Sequence, residues 1–383
     1  MMGFFTNPKI AFGTGALEQL AALAPRSVVV LVSPSLARLD PVRRLVDWLT
    51  EFATAPVLIQ GSGEAPTLAE VDRLVGALTG APDLLVAVGG GSVIDAAKGV
   101  RARLLRPDIE LTQWTPLTEL PTGPGTRLAA IPSTSGSGSE MSGSSQLLTP
   151  DGDTLEVSHR SLMADWAMVD PEFSRSLPSG EAMATGFETV AHALEALASE
   201  WANPFADAFA RDALAVGLPA LGRLGRQPRD LEARAAMHYA ASRAGLAAAN
   251  SSYGLAHAWA RALLPEAPGA GYARLLAVAL PTVIEYNFPS KRDVYEGVLP
   301  LFPSEGVSES FGARIGGLAR QLGLPTDLRG IAADPDSLRS SRERAVRRVL
   351  ASTATVANPR VPSASEAGRL FDSMVNGVGR RPT

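Results

Sequence analysis

An alternation of short apolar runs with helical stretches, between residues 27 and 105, places the tightest limit on how this chain can fold. Three runs of β-branched and other apolar residues end at turn-forming residues, as buried strands do: SVVVLVSPS (27–35), APVLIQGSG (55–63) and DLLVAVGGG (83–91). Each run is followed by apolar residues at helical spacing: 39–52, 67–80 and 92–105. This order predicts a doubly wound α/β domain whose parallel strands are joined by right-handed crossovers.

The pattern changes after about residue 172, where strand signals disappear and helical segments rich in Ala, Leu and Arg follow one another. These segments are 179–200, 205–222, 229–248, 252–264, 271–286 and 308–322. A chain of 383 residues is too long for one small core. We therefore predict an α/β domain over residues 1–172, followed by an all-helical domain over residues 173–383.

The composition limits the kinds of site and partner that we expect. The sequence has no cysteine, so disulfides, thiolate metal sites and cysteine nucleophiles are excluded. A formal net charge of −4 gives no reason to expect nucleic-acid binding. No apolar stretch approaches the roughly 20 residues of a membrane span, and the start lacks the basic and apolar regions of a signal peptide. We expect a cytoplasmic protein with a small-molecule substrate and no membrane partner.

The strongest local motif is LLVAVGGGSVIDAAKG (84–99), in which an apolar strand stops at three glycines and a helix begins at Ser92. Glycines let a phosphate approach the backbone, and a helix N-terminus offers unpaired N–H groups to it. The motif therefore predicts a pyrophosphate site, although a plain turn between strand and helix would have the same glycines. It is not the G-x-G-x-x-G fingerprint, which would follow the first strand.

A second loop, PSTSGSGSE (132–140), carries small hydroxylated residues that can bind phosphate or ribose oxygens. Alone it could equally be a flexible surface loop. Both loops follow strands of one parallel sheet, so they should meet at the carboxyl edge, where ligands bind in open α/β folds. Together they favour a dinucleotide.

Glu188 and His192 lie four residues apart in TGFETVAHALEALAS (185–199). The small and apolar residues of this stretch predict a helix, so the two side chains share one face of it. A carboxylate and an imidazole on one face make half of a metal site. They could equally be a buried acid and the histidine that it orients.

Taken together, these stretches resemble the iron-containing (group III) alcohol dehydrogenase family. GGGSVIDAAK (89–98) fits the family's GGGSxxDxAK element, and IPSTSGSGSE (131–140) is similar to its P-T-T-x-G-T-G-S-E loop. The segment from residue 168 to residue 197 resembles DPxLxxxLP…TGxDAxxHxxE. NSSYGLAHAWARALL (250–264) and RLLAVALPTVIEYN (274–287) match two further helices. The resemblance covers nearly the whole chain, in order.

The resemblance implies a dinucleotide-binding α/β domain, a helical domain, an active site in the cleft between them, and a homodimer. The chemistry it implies is hydride transfer between NAD or NADP and an alcohol or aldehyde, with a divalent metal that polarises the substrate oxygen. Cofactor-binding residues are also implied. By position they are Gly89, Gly90, Gly91, Ser92, Asp95, Ser133, Thr134 and Ser137.

The sequence departs from the family at the metal ligands, which are an Asp and a His four apart and two further His. The first three positions are Glu188, His192 and His257 here, so an Fe or Zn ion would be held by these residues. The fourth falls at Gly271 or at Tyr272, depending on the direction of counting, and neither is a histidine. Three ligands and a water would still satisfy an open catalytic site, so the resemblance leaves metal binding weakened but not excluded.

Two other departures concern the substrate and the cofactor. Arg261 stands four residues after His257, where the family commonly has another His. An arginine there suggests an anionic substrate, unless it simply faces solvent. Pro34 stands where NAD-preferring members often have an Asp for the ribose hydroxyls, so NADP is at least as well supported as NAD.

The leading hypothesis is an NAD(P)H-dependent reductase of an aldehyde or ketone. In a metal-using version, Glu188, His192 and His257 hold the ion. In a metal-independent version, which resembles maleylacetate reductases, His257, Arg261 and Tyr272 bind and polarise the carbonyl. The alternatives are an elimination or cyclisation on the same scaffold, and a non-catalytic member of the family.

Overall fold

The computed structural model describes residues 4–5, 8–51, 53–62, 65–121, 125–303, 310–331 and 340–377. The chain forms two compact units. One unit spans Phe5–Leu177, and the other begins at Pro178 and includes Phe4.

The first unit is built on a six-stranded parallel sheet, which confirms the predicted α/β class. Its strands lie in the order β1-β8-β5-β4-β2-β3. Their bounds are β1 Lys9–Phe12, β2 Ser27–Val32, β3 Thr54–Gln60, β4 Leu84–Gly89, β5 Arg127–Pro132 and β8 Trp166–Val169. The predicted strands at 27–35, 55–63 and 83–91 are β2, β3 and β4. Each strand ends before the end of its predicted range, because the turn residues in that range leave the sheet.

The central strands are buried on both faces. In β2, Val29 and Leu31 face the core shared with helices α2 (Leu68–Gly76) and α3 (Gly91–Leu105). Val28, Val30 and Val32 face the opposite core, which is shared with helix α1 (Asp40–Leu49). Side chains alternate between the two faces of a strand. A strand that is covered on both faces therefore has a continuous run of apolar residues in its sequence. The predicted helices at 39–52, 67–80 and 92–105 are α1, α2 and α3.

A two-stranded antiparallel hairpin, which the sequence does not indicate, follows β5. Its strands are β6 (Ser144–Leu148) and β7 (Thr154–Ser158). The buried side chains of Leu147 and Val157 join the core on the α3 side of the sheet. The hairpin thus covers α3, the helix that opens at the glycine turn.

The second unit is helical throughout its described residues. Its helices are α4 Ser179–Ala198, α5 Pro204–Arg226, α6 Leu231–Ser251, α7 Leu255–Leu263, α8 Tyr272–Asn287, α9 Arg292–Val298, α10 Phe311–Gln321, α11 Arg342–Ala351, α12 Thr353–Ala357 and α13 Ala364–Asn376. Helix α4 is buried along nearly its whole length from Ala182 onward, so it forms the centre of this unit. Over the described residues, no helix is both long and apolar enough to span a bilayer.

Candidate functional site

The glycine turn joins β4 to α3 and is shaped by close packing. A Cβ on Gly89 would lie 2.6 Å from the side chain of Val93, and one on Gly91 would lie 2.9 Å from Ser137. Gly90 is the N-cap of α3 but makes no side-chain cap, so the first N–H groups of the helix have no capping side chain. Ser92 lies in that first turn and is half-buried. The turn therefore presents the end of a helix that favours an anion, without a side-chain cap.

The Gly/Ser loop after β5 lies directly beside this turn. Gly89 pairs with Pro132 in the sheet, so the two loops leave neighbouring strands together. Thr134 Cγ2 would be 3.1 Å from a Cβ on Gly90. Thr134 and Ser137 are half-buried, whereas Ser133 is buried and its backbone N–H donates to Gly89 O at 2.9 Å. The structure thus brings the two predicted phosphate loops together, with two hydroxyl side chains at their junction.

Asp95 holds the second loop in place from α3. Its carboxylate accepts hydrogen bonds from Ser139 Oγ at 2.5 Å and from Gln146 N at 3.0 Å. Its backbone oxygen accepts from Ser145 Oγ at 2.7 Å. Asp95 therefore holds the loop after β5 by hydrogen bonds to other protein groups.

Lys98 completes this support, and the sequence analysis did not single it out. Its ammonium group is fully buried and lies 3.6 Å from the Asp95 carboxylate. It donates to Ser139 O at 2.7 Å, Ser142 Oγ at 3.1 Å and Ser144 O at 2.7 Å. Burial lowers the pKa of Lys98, and the charges of Asp95 and Glu140 oppose that shift. The signal was present in the motif, since Asp95 and Lys98 are three residues apart on one helix face.

In the helical unit, α4 and α7 bring two imidazoles side by side. His192 on α4 and His257 on α7 are 2% and 1% exposed, and their ring centroids are 4.5 Å apart. Glu188 is buried one turn before His192 on α4. The three residues predicted as metal ligands are therefore all buried, with the two histidines in direct ring contact.

His257 is oriented by Glu195, which lies three residues after His192. The Glu195 carboxylate accepts a hydrogen bond from His257 Nδ1. It also accepts from the backbone N–H of Gly254 at 2.9 Å and of Ala256 at 2.6 Å, so it anchors the first turn of α7. A carboxylate that accepts from Nδ1 places the ring proton there and leaves Nε2 with its lone pair. Among the described residues, nothing hydrogen-bonds to Nε2.

The electrostatics keep this imidazole neutral. Burial lowers the pKa of His257 below its ordinary value of 6.5, the neighbouring Glu195 opposes the shift, and the positive charge of Arg261 adds to it. A neutral imidazole with a free Nε2 lone pair can accept a proton, accept a hydrogen bond from a substrate or bind a metal.

Tyr272 is the first residue of α8, and its ring centroid lies 6.1 Å from that of His257. Burial raises the pKa of the phenol above its ordinary value of 10.0, the positive charge of Arg261 opposes the shift, and Glu188 adds to it. The phenol therefore stays protonated at neutral pH and can act as a hydrogen-bond donor.

Arg261 extends from the last turn of α7 toward the same group of side chains. Its Cζ atom lies 5.1 Å from the ring centroid of Tyr253, a cation–π distance. Tyr253 in turn lies 4.8 Å from His257 and 5.2 Å from His192 by ring centroids. The half-buried arginine is thus held against the histidines and does not extend away from them into solvent.

The donor set of this site fits a divalent ion poorly. Within the described ranges, no group of three or more His, Asp or Glu side chains is arranged to hold a metal. The fourth family position is either Gly271, which has no side-chain ligand, or Tyr272, whose phenol has a raised pKa and is a poor ligand for zinc or iron(II) while protonated. The fixed positive charge of Arg261 also acts on this site, as its effect on the pKa of His257 shows.

Two residues of this site escaped the sequence analysis. Tyr253, in the connection between α6 and α7, contacts both histidines and Arg261, but a lone tyrosine before a helix carries no recognisable pattern. Glu195 had a signal, because it follows His192 by one helical turn and so shares its face.

Two models of one family together match most of the chain. The model of the iron-containing alcohol dehydrogenase matches residues 7–171, and the model of the Fe-containing alcohol dehydrogenase family, C-terminal, matches residues 182–375. The chain belongs to the iron-containing alcohol dehydrogenase family.

Individual relatives agree with this assignment. The chain is 31% identical to an alcohol dehydrogenase of Thermococcus barophilus over 303 residues, which cover 76% of this chain and 78% of that protein. It is 26% identical to the NADPH-dependent butanol dehydrogenase of Clostridium saccharobutylicum, with 99% of both chains covered. Among solved structures, the iron-containing alcohol dehydrogenase of Thermococcus thioreducens superimposes with a TM-score of 0.86 at 28% identity, covering 98% of this chain and 100% of that one.

Proposed function

We propose that this protein is an NAD(P)H-dependent reductase of an aldehyde or ketone that carries an anionic group, and that it works without a tightly bound metal. The observation that carries the proposal is the grouping of His257, Arg261 and Tyr272 around Tyr253 in the helical unit. This group of side chains combines a cation, a protonated phenol and a neutral imidazole with a lone pair on Nε2.

The α/β unit supports the cofactor part of the proposal. The exposed end of α3 and the hydroxyls of Thr134 and Ser137 form a cradle that a Cβ on Gly90 or Gly91 would fill. Such a cradle suits a pyrophosphate, because backbone N–H groups and the helix dipole both favour an anion there. A bound reduced nicotinamide supplies the hydride of the reaction.

The helical unit supplies the groups that act on the carbonyl. Arg261 binds the anionic end of the substrate through charge-assisted hydrogen bonds. Tyr272 donates a hydrogen bond to the carbonyl oxygen, and its proton passes to that oxygen as the negative charge develops. With its ring fixed by Glu195, His257 accepts at Nε2 a hydrogen bond from the hydroxyl group that forms once the carbonyl oxygen is protonated, and so holds the oxygen end of the product in place. Solvent then restores the proton of Tyr272.

The basic test of the proposal is a reductase assay with purified protein, NADH or NADPH, and short aldehydes with and without a carboxylate. We expect substrate-dependent loss of the nicotinamide absorbance near 340 nm, about the position typical of the reduced ring. Turnover of the substrate with no loss of that absorbance would favour an elimination or cyclisation. No turnover together with no nucleotide binding in calorimetry would point to a non-catalytic protein.

Replacing Tyr272 by phenylalanine should lower kcat by about 10²-fold, since one general acid typically contributes 10²–10⁴. The substitution removes a single oxygen, so the fold should persist and KM should change little. Steady-state kinetics with the best anionic aldehyde measure the effect.

Tyr286→Phe is the matched control, because Tyr286 lies on the same helix α8 and contacts Arg360 at a cation–π distance of 4.0 Å. Its kcat should stay within about twofold of the wild type, as expected for a substitution that touches neither site. If Tyr272→Phe behaves like this control, Tyr272 is not the proton donor.

Metal analysis of the purified protein should find iron and zinc well below one ion per chain, and activity should survive EDTA. The reason is the donor set: neither candidate for the fourth ligand position, Gly271 or Tyr272, is a histidine, and Arg261 adds a repulsive charge. The check is elemental analysis by mass spectrometry, with activity measured before and after chelation. A stoichiometric ion that leaves together with activity would contradict the metal-free version and assign Glu188, His192 and His257 as its ligands.

A further inference from the structure

A small pocket lies where the order of the strands reverses in the sheet of the α/β unit. Strand β2 lies between β4 and β3, and the chain crosses from β3 over β2 to reach β4. Ligands of open α/β sheets bind in the crevice at such a reversal, outside the carboxyl ends of the strands. The residues that line this pocket include Leu31, Gly61, Ser62, Glu70, Ser92 and Val93.

Ser92 and Glu70 face this pocket with opposite electrostatic character. Ser92 is in the first turn of α3, where the helix dipole favours an anion. Glu70, on α2, places a carboxylate on the other side of the pocket, and the residue is only 9% exposed. The pocket therefore has one side that suits a phosphate and one side that opposes it.

The position of the Glu70 carboxylate is set by the loop after β3. It accepts hydrogen bonds from the backbone N–H of Ser62 at 2.5 Å and from Ser62 Oγ at 2.6 Å. A Cβ on Gly61 would lie 3.3 Å from Glu70 Oε1, so the glycine allows this close approach. The guanidinium of Arg73 lies 3.8 Å from the carboxylate but is 54% exposed, so solvent screens much of its charge.

From this placement we infer that Glu70 selects NADH over NADPH. This inference rests on the proposed function, since it assumes that the pyrophosphate lies at the N-terminus of α3. The adenosine ribose would then lie in the crevice, where free hydroxyls can donate to a carboxylate and a 2′-phosphate is repelled by it. The expectation drawn from Pro34 concerned only the end of β2, where Pro34 is exposed in a turn. The acidic group comes instead from α2.

The test is the dissociation constant of each reduced nucleotide, measured by nicotinamide fluorescence on the full chain without substrate. The wild type should bind NADH at least about ten-fold more tightly than NADPH, the size expected of one partly screened like-charge pair. Glu70→Gln should reduce that ratio by about ten-fold, mainly through tighter NADPH binding. Gln keeps an oxygen acceptor for the Ser62 N–H, and circular dichroism checks that the variant folds.

Asp72→Asn is the matched control, because Asp72 lies on the same helix, is 57% exposed and does not line the pocket. It should leave the ratio unchanged, which excludes a general effect of net charge. A wild type that prefers NADPH, or a Glu70→Gln variant with an unchanged ratio, overturns the role of Glu70 while leaving the reductase proposal intact. Failure of both nucleotides to bind the wild type would instead overturn the proposed function.

Discussion

Replacing Arg261 by leucine should lower kcat/KM for an aldehyde that carries a carboxylate by about 10³-fold, which is about 4 kcal/mol of transition-state binding. For the uncharged aldehyde of equal length, kcat/KM should change by less than about threefold, because this aldehyde has no anionic group for the guanidinium to bind. The reason is that Arg261 is held over Tyr253, beside His257, where a half-buried cation can form charge-assisted hydrogen bonds with an anion. Steady-state kinetics on the two aldehydes measure the difference.

The control for this prediction is Arg274→Leu. Arg274 lies on α8 two residues from Tyr272, but its guanidinium already pairs with Glu181 at 2.6 Å. It should therefore retain the preference for the anionic aldehyde. If the Arg261→Leu variant loses activity equally on both aldehydes, Arg261 supports the fold of the site and does not recognise an anion.

Replacing Lys98 by methionine should destabilise the α/β unit by about 3–5 kcal/mol, the usual cost of removing one partner from a buried ion pair. The substitution leaves the carbonyl oxygens of Ser139 and Ser144 without the donor that now satisfies them, and leaves Asp95 without its cation. Urea unfolding followed by far-ultraviolet circular dichroism measures the loss. Because the chain forms two compact units, we expect two unfolding transitions, of which one should move.

Lys291→Met serves as the control, because the ion pair of Lys291 with Glu200 involves a carboxylate that is 54% exposed. Pairs at the surface contribute about 0–1 kcal/mol, so this variant should unfold close to the wild type. Equal effects of the two substitutions would show that the buried contacts of Lys98 do not stabilise the loops.

The sequence predicted the part of the fold that has a local pattern. Strands β2 and β4 are buried on both faces, so their apolar runs are continuous and easy to recognise. Strand β1 pairs with β8, whose residues lie more than a hundred positions away, and β1 itself is largely exposed. Short strands paired over such distances leave no local periodicity to read.

The candidate site was predictable in its positions but not in its chemistry. His192 and His257 follow from motif and spacing, and the structure places them in ring contact. Sequence spacing could not show that Arg261 lies over Tyr253 or that the Tyr272 phenol is kept protonated, since both depend on side chains from different helices. The role that we propose for Glu70 likewise rests on a pocket that forms only when the ends of three strands are brought together.

The carboxylate of Glu195 affects how such a site can evolve. It ties α4 to the first turn of α7 through two backbone N–H groups and one imidazole nitrogen. The separation of the two helices is therefore set by protein groups alone, and an ion is not required as a bridge between them. A lineage could therefore lose one histidine ligand and gain an arginine nearby while this connection between the two helices is kept. The helical unit can thus exchange one set of polar side chains for another at this site and keep the contacts that hold α4 against α7.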